Sequence, residues 1–108
     1  MPLTPTQLFT ELKTLGLPVA YGGFSQPTNP PYIIYQFSYS NDLVADNRNC
    51  IPLSNYQVEL YTKTKDPIRE PLVENKLKDL CLPYRKIETL IESENLRQII
   101  YEIQLTGG

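Results

Sequence analysis

The stretch Ser54–Asp66, SNYQVELYTKTKD, constrains this chain more than any other part of it. Tyr56, Val58, Leu60 and Thr62 fall on one side of a period-two pattern, and Gln57, Glu59, Tyr61 and Lys63 fall on the other. That alternation is how a half-buried antiparallel strand reads, with one face in a core and the other made of tyrosine and charge. A proline-started helical stretch and a second two-strand run ending at Leu105 follow it.

The rest of the chain supplies elements to pack against that strand. Thr4-Pro5-Thr6-Gln7 reads as a helix start, with Thr4 as cap, Pro5 at the first helical position and Gln7 reaching back to the cap. Leu8, Leu12 and Leu15 then make one apolar stripe with Phe9 beside them, and Gly16 and Pro18 end the helix, predicting Pro5–Leu15. Val19–Phe24 can supply a brief edge strand, followed by a turn or loop at Gly22-Gly23 and SQPTNPP. Pro30-Pro31 leads into the strand Tyr32–Tyr39, with Ile33, Tyr35, Phe37 and Tyr39 on one face. From residue 40 to 53 the chain is polar and turn-rich, with weakly apolar patches at Leu43–Ala45 and Cys50–Leu53, which predicts a long loop or protruding arm.

After the Ser54–Thr64 strand, Asp66-Pro67 reads as an N-cap and first helical residue, and Leu72, Val73, Leu77 and Leu80 share a stripe. Pro71 lacks the donor of a mid-helix residue, so either the helix begins near Glu70-Pro71 or Asp66–Glu70 is a separate first turn. Leu82-Pro83 ends it, and Tyr84–Ile91 and Leu96–Leu105 form a hairpin around Glu92–Asn95. Residues 106–108 read as a frayed tail. The expectation is one domain over residues 1–108, of α+β class: an antiparallel sheet of about four main strands in the order α-β-β-α-β-β, with both helices on one face. The second face would be only partly covered, with Ile34, Leu90, Ile100 and several of the eight tyrosines available to it, a patch of the kind that marks protein interfaces.

Composition narrows the function. The 108 residues are 41% apolar and 20% charged, as in ordinary globular domains, and no apolar run reaches the roughly 18 residues of a membrane helix. The amino terminus carries no secretory pattern, so no membrane or export role is expected. Ten basic and twelve acidic residues give a net charge of −2, too balanced to predict a nucleic-acid surface. With no histidine, Ser-His-Asp and Cys-His catalysis is excluded, and Cys50 and Cys81 lack the spacing of a standard zinc site. Glu88, Glu92, Glu94 and Glu102 offer no catalytic pair by spacing, and Asp42, Asp46 and Asn47 lack the order of a calcium loop. Lys63, Lys65, Arg69, Lys76, Lys78, Arg85 and Lys86 are the main basic cluster, diluted by Asp66, Glu70, Glu74 and Asp79. The reading is a non-enzyme without metal or cofactor.

At IPLSNYQVELYTKTKDP, LVENKLKDL and YRKIETLIESENLRQIIYEIQL, with PPYIIYQFSYSND before them, the chain resembles the tail-terminator or tail-to-head joining proteins of long-tailed bacteriophages of Gram-positive hosts. The resemblance is one of order, length and texture. It implies a structural protein that forms a homo-oligomeric ring, commonly a hexamer, capping the tail tube and docking the head connector. Its partners would be copies of itself, the tail tube protein and the connector protein, with DNA only passing through the ring lumen. It would reside in the virion, and in the host cytoplasm during assembly. On that reading Tyr35, Tyr39 and Tyr61 on the sheet, and Asp42, Asp46 and Arg48 in the arm, are the candidate subunit or partner contacts. Another neck, tail-completion or head-closure protein, or a nucleic-acid-binding regulatory module using the basic helix face, are the alternatives.

Overall fold

A computed structural model describes residues 3–40, 43–45, 49–51 and 53–105, with the backbone alone for 43–45 and 49–51. The chain runs α1 (Pro5–Lys13), β1 (Val19–Tyr21), β2 (Tyr32–Ser40), β3 (Leu43–Ala45), β4 (Asn49–Ile51), β5 (Ser54–Thr62), α2 (Arg69–Asp79), β6 (Arg85–Ile91) and β7 (Leu96–Leu105). Five strands form one sheet in the order β1-β2-β5-β7-β6, and β3 and β4 form a separate two-stranded sheet. The α+β class and the two helices on one face are as expected. The sheet itself is mixed, because β1 pairs with β2 in parallel, Val19 opposite Ile33, while every other pair is antiparallel.

β5 lies at the centre, and its alternation decides the fold. Tyr56, Val58, Leu60 and Thr62 are all buried, as the sequence pattern requires. On the same side of the neighbouring strands stand Ile33 and Tyr35 of β2 and Ile99, Tyr101, Ile103 and Leu105 of β7. Leu8 and Leu12 of α1 and Val73 and Leu77 of α2 close this core from above. Each such side chain contributes roughly 1.5–3 kcal/mol by leaving water, which is what holds two short helices that are marginal alone.

The helix ends follow the local chemistry. Thr4 accepts from the Gln7 amide at 3.2 Å while Gln7 Oε1 accepts from the Thr4 amide at 2.9 Å, a complete capping box. α1 stops at Lys13, two residues before the predicted Leu15, which still packs on the core. α2 begins at Arg69, so Pro71 sits in the first turn where no intrahelical donor is needed, which resolves the proline alternative in favour of the later start. Asp66 Oδ1 accepts from the Ile68 and Arg69 amides and caps that start from three residues upstream. At its end Cys81 takes φ of 58°, with Leu82 N–H donating to Leu77 O at 2.9 Å and Cys81 N–H to Lys78 O at 3.0 Å. This is a Schellman closure with cysteine in the position glycine favours.

Three sequence expectations change. The 40–53 segment is more than a loop: Leu43, Val44 and Ala45 pair with Ile51, Cys50 and Asn49 in a short hairpin. Tyr39 does not share a face with Phe37, because a register shift sets Phe37 opposite Tyr56 but Tyr39 opposite Asn55. One inserted residue turns every later side chain to the other face. Leu90 stands opposite Arg97 on the helix side, not on the open face. The predicted frayed tail, 106–108, lies outside the described residues.

Candidate interaction surface

The side of the sheet away from the helices is arranged in rows across four strands. Tyr32, Tyr61, Gln98 and Thr89 stand in one row, Ile34, Glu59, Ile100 and Ile87 in the next, and Gln36, Gln57, Glu102 and Arg85 in the third. Most of these side chains are partly exposed. Glu59 is the exception, with 2% of its surface accessible although it lies on the face without helices.

Its environment explains how a carboxylate is tolerated there. Gln36 Nε2 donates to Glu59 Oε2 at 2.7 Å, and the Tyr61 hydroxyl donates to Oε1 at 2.7 Å. Gln98 Nε2 donates to the Tyr61 oxygen at 2.8 Å and lies 3.5 Å from Glu59 Oε1. These donors come from β2, β5 and β7, so the group ties three strands together, with Ile34 and Ile100 walling it on either side. A buried charge held by neutral donors depends on all of them being in place. Burial first, and then the bond to Glu59, push the Tyr61 phenol well above its ordinary range, so it remains a donor at any physiological pH.

One end of this face is covered by the connection from β1 to β2. Phe24 meets Tyr32 edge-on with ring centres 5.2 Å apart, and Tyr32 stacks on Tyr61 at 5.0 Å. Leu96 is buried at this end, outside the main core. Burial, and then the charge of Glu94, raise the Tyr32 phenol. At the opposite end of the sheet, where the arm leaves it, a groove of about 540 Å³ is lined by helix-side residues, Leu3, Tyr56, Tyr84, Ile103 and Leu105 among them, together with Tyr39. Phe37 and Tyr39 are 45% and 58% exposed there.

The predicted site residues separate on this geometry. Tyr61 lies on the open face, but as part of the Glu59 group. Tyr39 is exposed beside the arm. Tyr35 is a correction: it is 8% exposed and packs at 5.8 Å from Phe9 and 5.2 Å from Tyr21, so it serves the core and not a contact surface. Asp42, Asp46 and Arg48 lie outside the described residues. Sequence reasoning missed the Gln36–Glu59–Gln98 group; period-two phasing had set Glu59 beside Tyr61, but nothing local showed that β7 would bring a second amide.

The basic cluster is largely paired. Lys86 reaches Glu70 at 2.9 Å and Glu74 at 2.8 Å, Lys65 reaches Glu70 and Glu88 at 3.1 and 2.7 Å, and Arg97 reaches Glu88 at 3.2 Å. Arg69 pairs with Asp66 and Lys76 with Glu11. Tyr101, fully buried, donates to Glu74 Oε2 at 2.8 Å, so the network fastens α2 to β6 and β7. Cations committed in this way are poor anchors for a phosphate backbone. Among the described residues no group of three or more His, Cys, Asp or Glu side chains is placed to hold a metal. No helix in the described residues is long and apolar enough to cross a membrane. No known family model matches the chain, and no curated protein matches it at a significant level.

Proposed function

We propose that this chain is a structural phage virion protein, one that assembles with copies of itself into a ring capping the tail tube and joins the tail to the head connector. The observation that carries this reading is the β3–β4 arm, a hairpin that forms its own two-stranded sheet apart from the main one. Two strands alone are marginal in water, so a hairpin that pairs with no further strand among the described residues suits completion by a neighbouring surface. The arm rises between β2 and β5, beside the exposed Phe37 and Tyr39 and the groove at that end, so a neighbour that took the arm would also meet aromatic side chains. The α+β class with two helices, and the sequence block from Ile51 to Leu105 that resembles tail-terminator proteins, support the same reading. A head-closure or tail-completion protein would use the same surfaces at another level of the neck.

The test compares the whole chain with a variant in which residues 43–51 are replaced by a short Gly/Ser turn, using light scattering and binding to isolated tail tubes that lack a terminator. The intact chain is expected to form a ring-sized species, alone or on the tubes, and the arm-less variant to fold but stay unassembled. An intact chain that remains monomeric and ignores the tubes would sink the proposal.

A further inference from the structure

β6 forms one edge of the five-stranded sheet, with β7 on one side and, among the described residues, no strand on the other. Its ladder with β7 runs from Arg85 opposite Glu102 to Ile91 opposite Leu96 with no register shift. Proline and bulges, two devices by which natural sheets blunt an edge, are both absent from β6. The strand instead carries opposite charges two residues apart, Lys86 and Glu88, both on the helix side, with Ile87 between them on the open side.

We propose that β6 pairs antiparallel with β6 of a second copy about a two-fold axis through Ile87, joining the two sheets into one. A two-fold axis normal to the sheet keeps each face on its own side, so opposed residues must share a face and the register must be centred on a residue. Centring on Lys86 sets that lysine against itself, and centring on Glu88 does the same for the glutamate; like charges directly opposed are destabilising. Centring on Ile87 sets Lys86 against Glu88 twice, Ile87 against Ile87, Arg85 against Thr89 and Tyr84 against Leu90. The last pair covers apolar surface the protomer leaves open, since Leu90 is 47% exposed. Lys86 keeps Glu70 and Glu74, and Glu88 keeps Lys65 and Arg97, so the contact extends an existing charge network across the axis. A two-fold contact closes on itself and cannot repeat around a ring. The inference therefore goes beyond the proposed function and assigns the free subunit a dimeric form through a separate surface.

Cross-linking tests the register. In a chain carrying Cys50→Ser and Cys81→Ser, Ile87→Cys is expected to give a covalent dimer with oxidised glutathione, because residue 87 faces its own copy within disulfide reach. Thr89→Cys, opposed by Arg85, is expected to remain almost entirely uncoupled. Equal coupling at both positions, or at neither, overturns the proposal. Light scattering gives an independent reading: the native chain is expected at twice the monomer mass, and Ile87→Lys at the monomer mass with an unchanged circular-dichroism spectrum. A ring-sized species that Ile87→Lys leaves intact overturns the two-fold dimer while leaving the ring reading standing. Loss of the dimer with tail-tube binding retained supports both.

Discussion

On the helix side of the sheet, Val58, Leu60 and Ile99 are fully enclosed, whereas on the other side Ile34, Ile100 and Ile87 of β2, β7 and β6 remain partly exposed around a carboxylate. The two faces are built by the same strands and the same alternation. What separates them is whether α1 and α2 lie above, and the polar groups follow that difference. Ions on the helix side, the buried Glu70 included, pair with ions, while the open face encloses Glu59 with amides and a phenol. A face that surrounds its buried charge with hydrogen-bond donors is ordered without a helix packed over it.

The comparison can be broken most directly by truncation. Leu60→Ala and Ile99→Ala should each cost about 2–5 kcal/mol in urea unfolding, the range for large core deletions, whereas Ile34→Ala and Ile100→Ala should cost about 1 kcal/mol or less because their surface is already partly wet. Equal losses on both sides would mean that the open face is as much a core as the other. Next in size, Lys86→Met should cost roughly 2–4 kcal/mol, because it leaves Glu70, 4% exposed and with Oε2 lacking any bond in the described structure, and Glu74 facing each other with less compensation. Glu59→Gln should cost nearer 1 kcal/mol, since glutamine keeps an acceptor and removes a buried charge.

Titration sharpens the same contrast. For Glu74 burial is the largest influence and raises its pKa, but bonds from Lys86 and Tyr101 outweigh it and leave the pKa lowered; Asp66 is lowered by the Arg69 amide and guanidinium, and Glu88 chiefly by Lys65. A carboxylate lowered in the folded state contributes stability that is complete above its unfolded pKa, near 4, and lost as pH falls through the folded value. Stability should therefore decline below about pH 4.5, from the helix side. The phenols of Tyr61 and Tyr101 are raised, first by burial and then by Glu59 and Glu74 respectively. A raised group contributes stability that is complete below its unfolded pKa, near 10, and lost as pH climbs toward the folded value, so a second decline should begin above about pH 10. Urea midpoints across both windows should show the alkaline limb alone altered by Tyr61→Phe, and both limbs altered by Lys86→Met, because Lys86 lowers Glu74 and is itself raised, first by its bond to Glu74. The smallest expected effect is a gain: Cys81→Gly should add about 0.5–1 kcal/mol by relieving a left-handed residue that carries a Cβ, seen as a raised melting temperature.

Much of this architecture was legible because it rests on local signals. Thr4 and Gln7 state a capping box outright, and the alternation from Tyr56 to Thr62 names the core face without reference to any other strand. The failures share a cause: they depend on what a distant strand does. Tyr35 looked like one tyrosine among several until Phe9 and Tyr21 closed over it. Tyr39 changed face because of an extra residue that appears only when β2 is matched to β5. Val19–Tyr21, three residues long, became a parallel edge through backbone pairing that its short sequence could not advertise. The Glu59 group needed Gln36 and Gln98, residues 23 and 39 positions away, and an amide on a strand has no pattern that marks it as a partner of a particular carboxylate.

The arm stands between the last rung of one ladder and the first of the same ladder, with Ser40 opposite Ser54 at its base. Whatever is inserted between those two serines leaves the registers of β2, β5 and β7 untouched. Lengthening a connection of this sort adds only about 0.6 kcal/mol for each doubling. A lineage can therefore rewrite the arm freely, in length and in sequence, while the domain beneath inherits its fold unchanged.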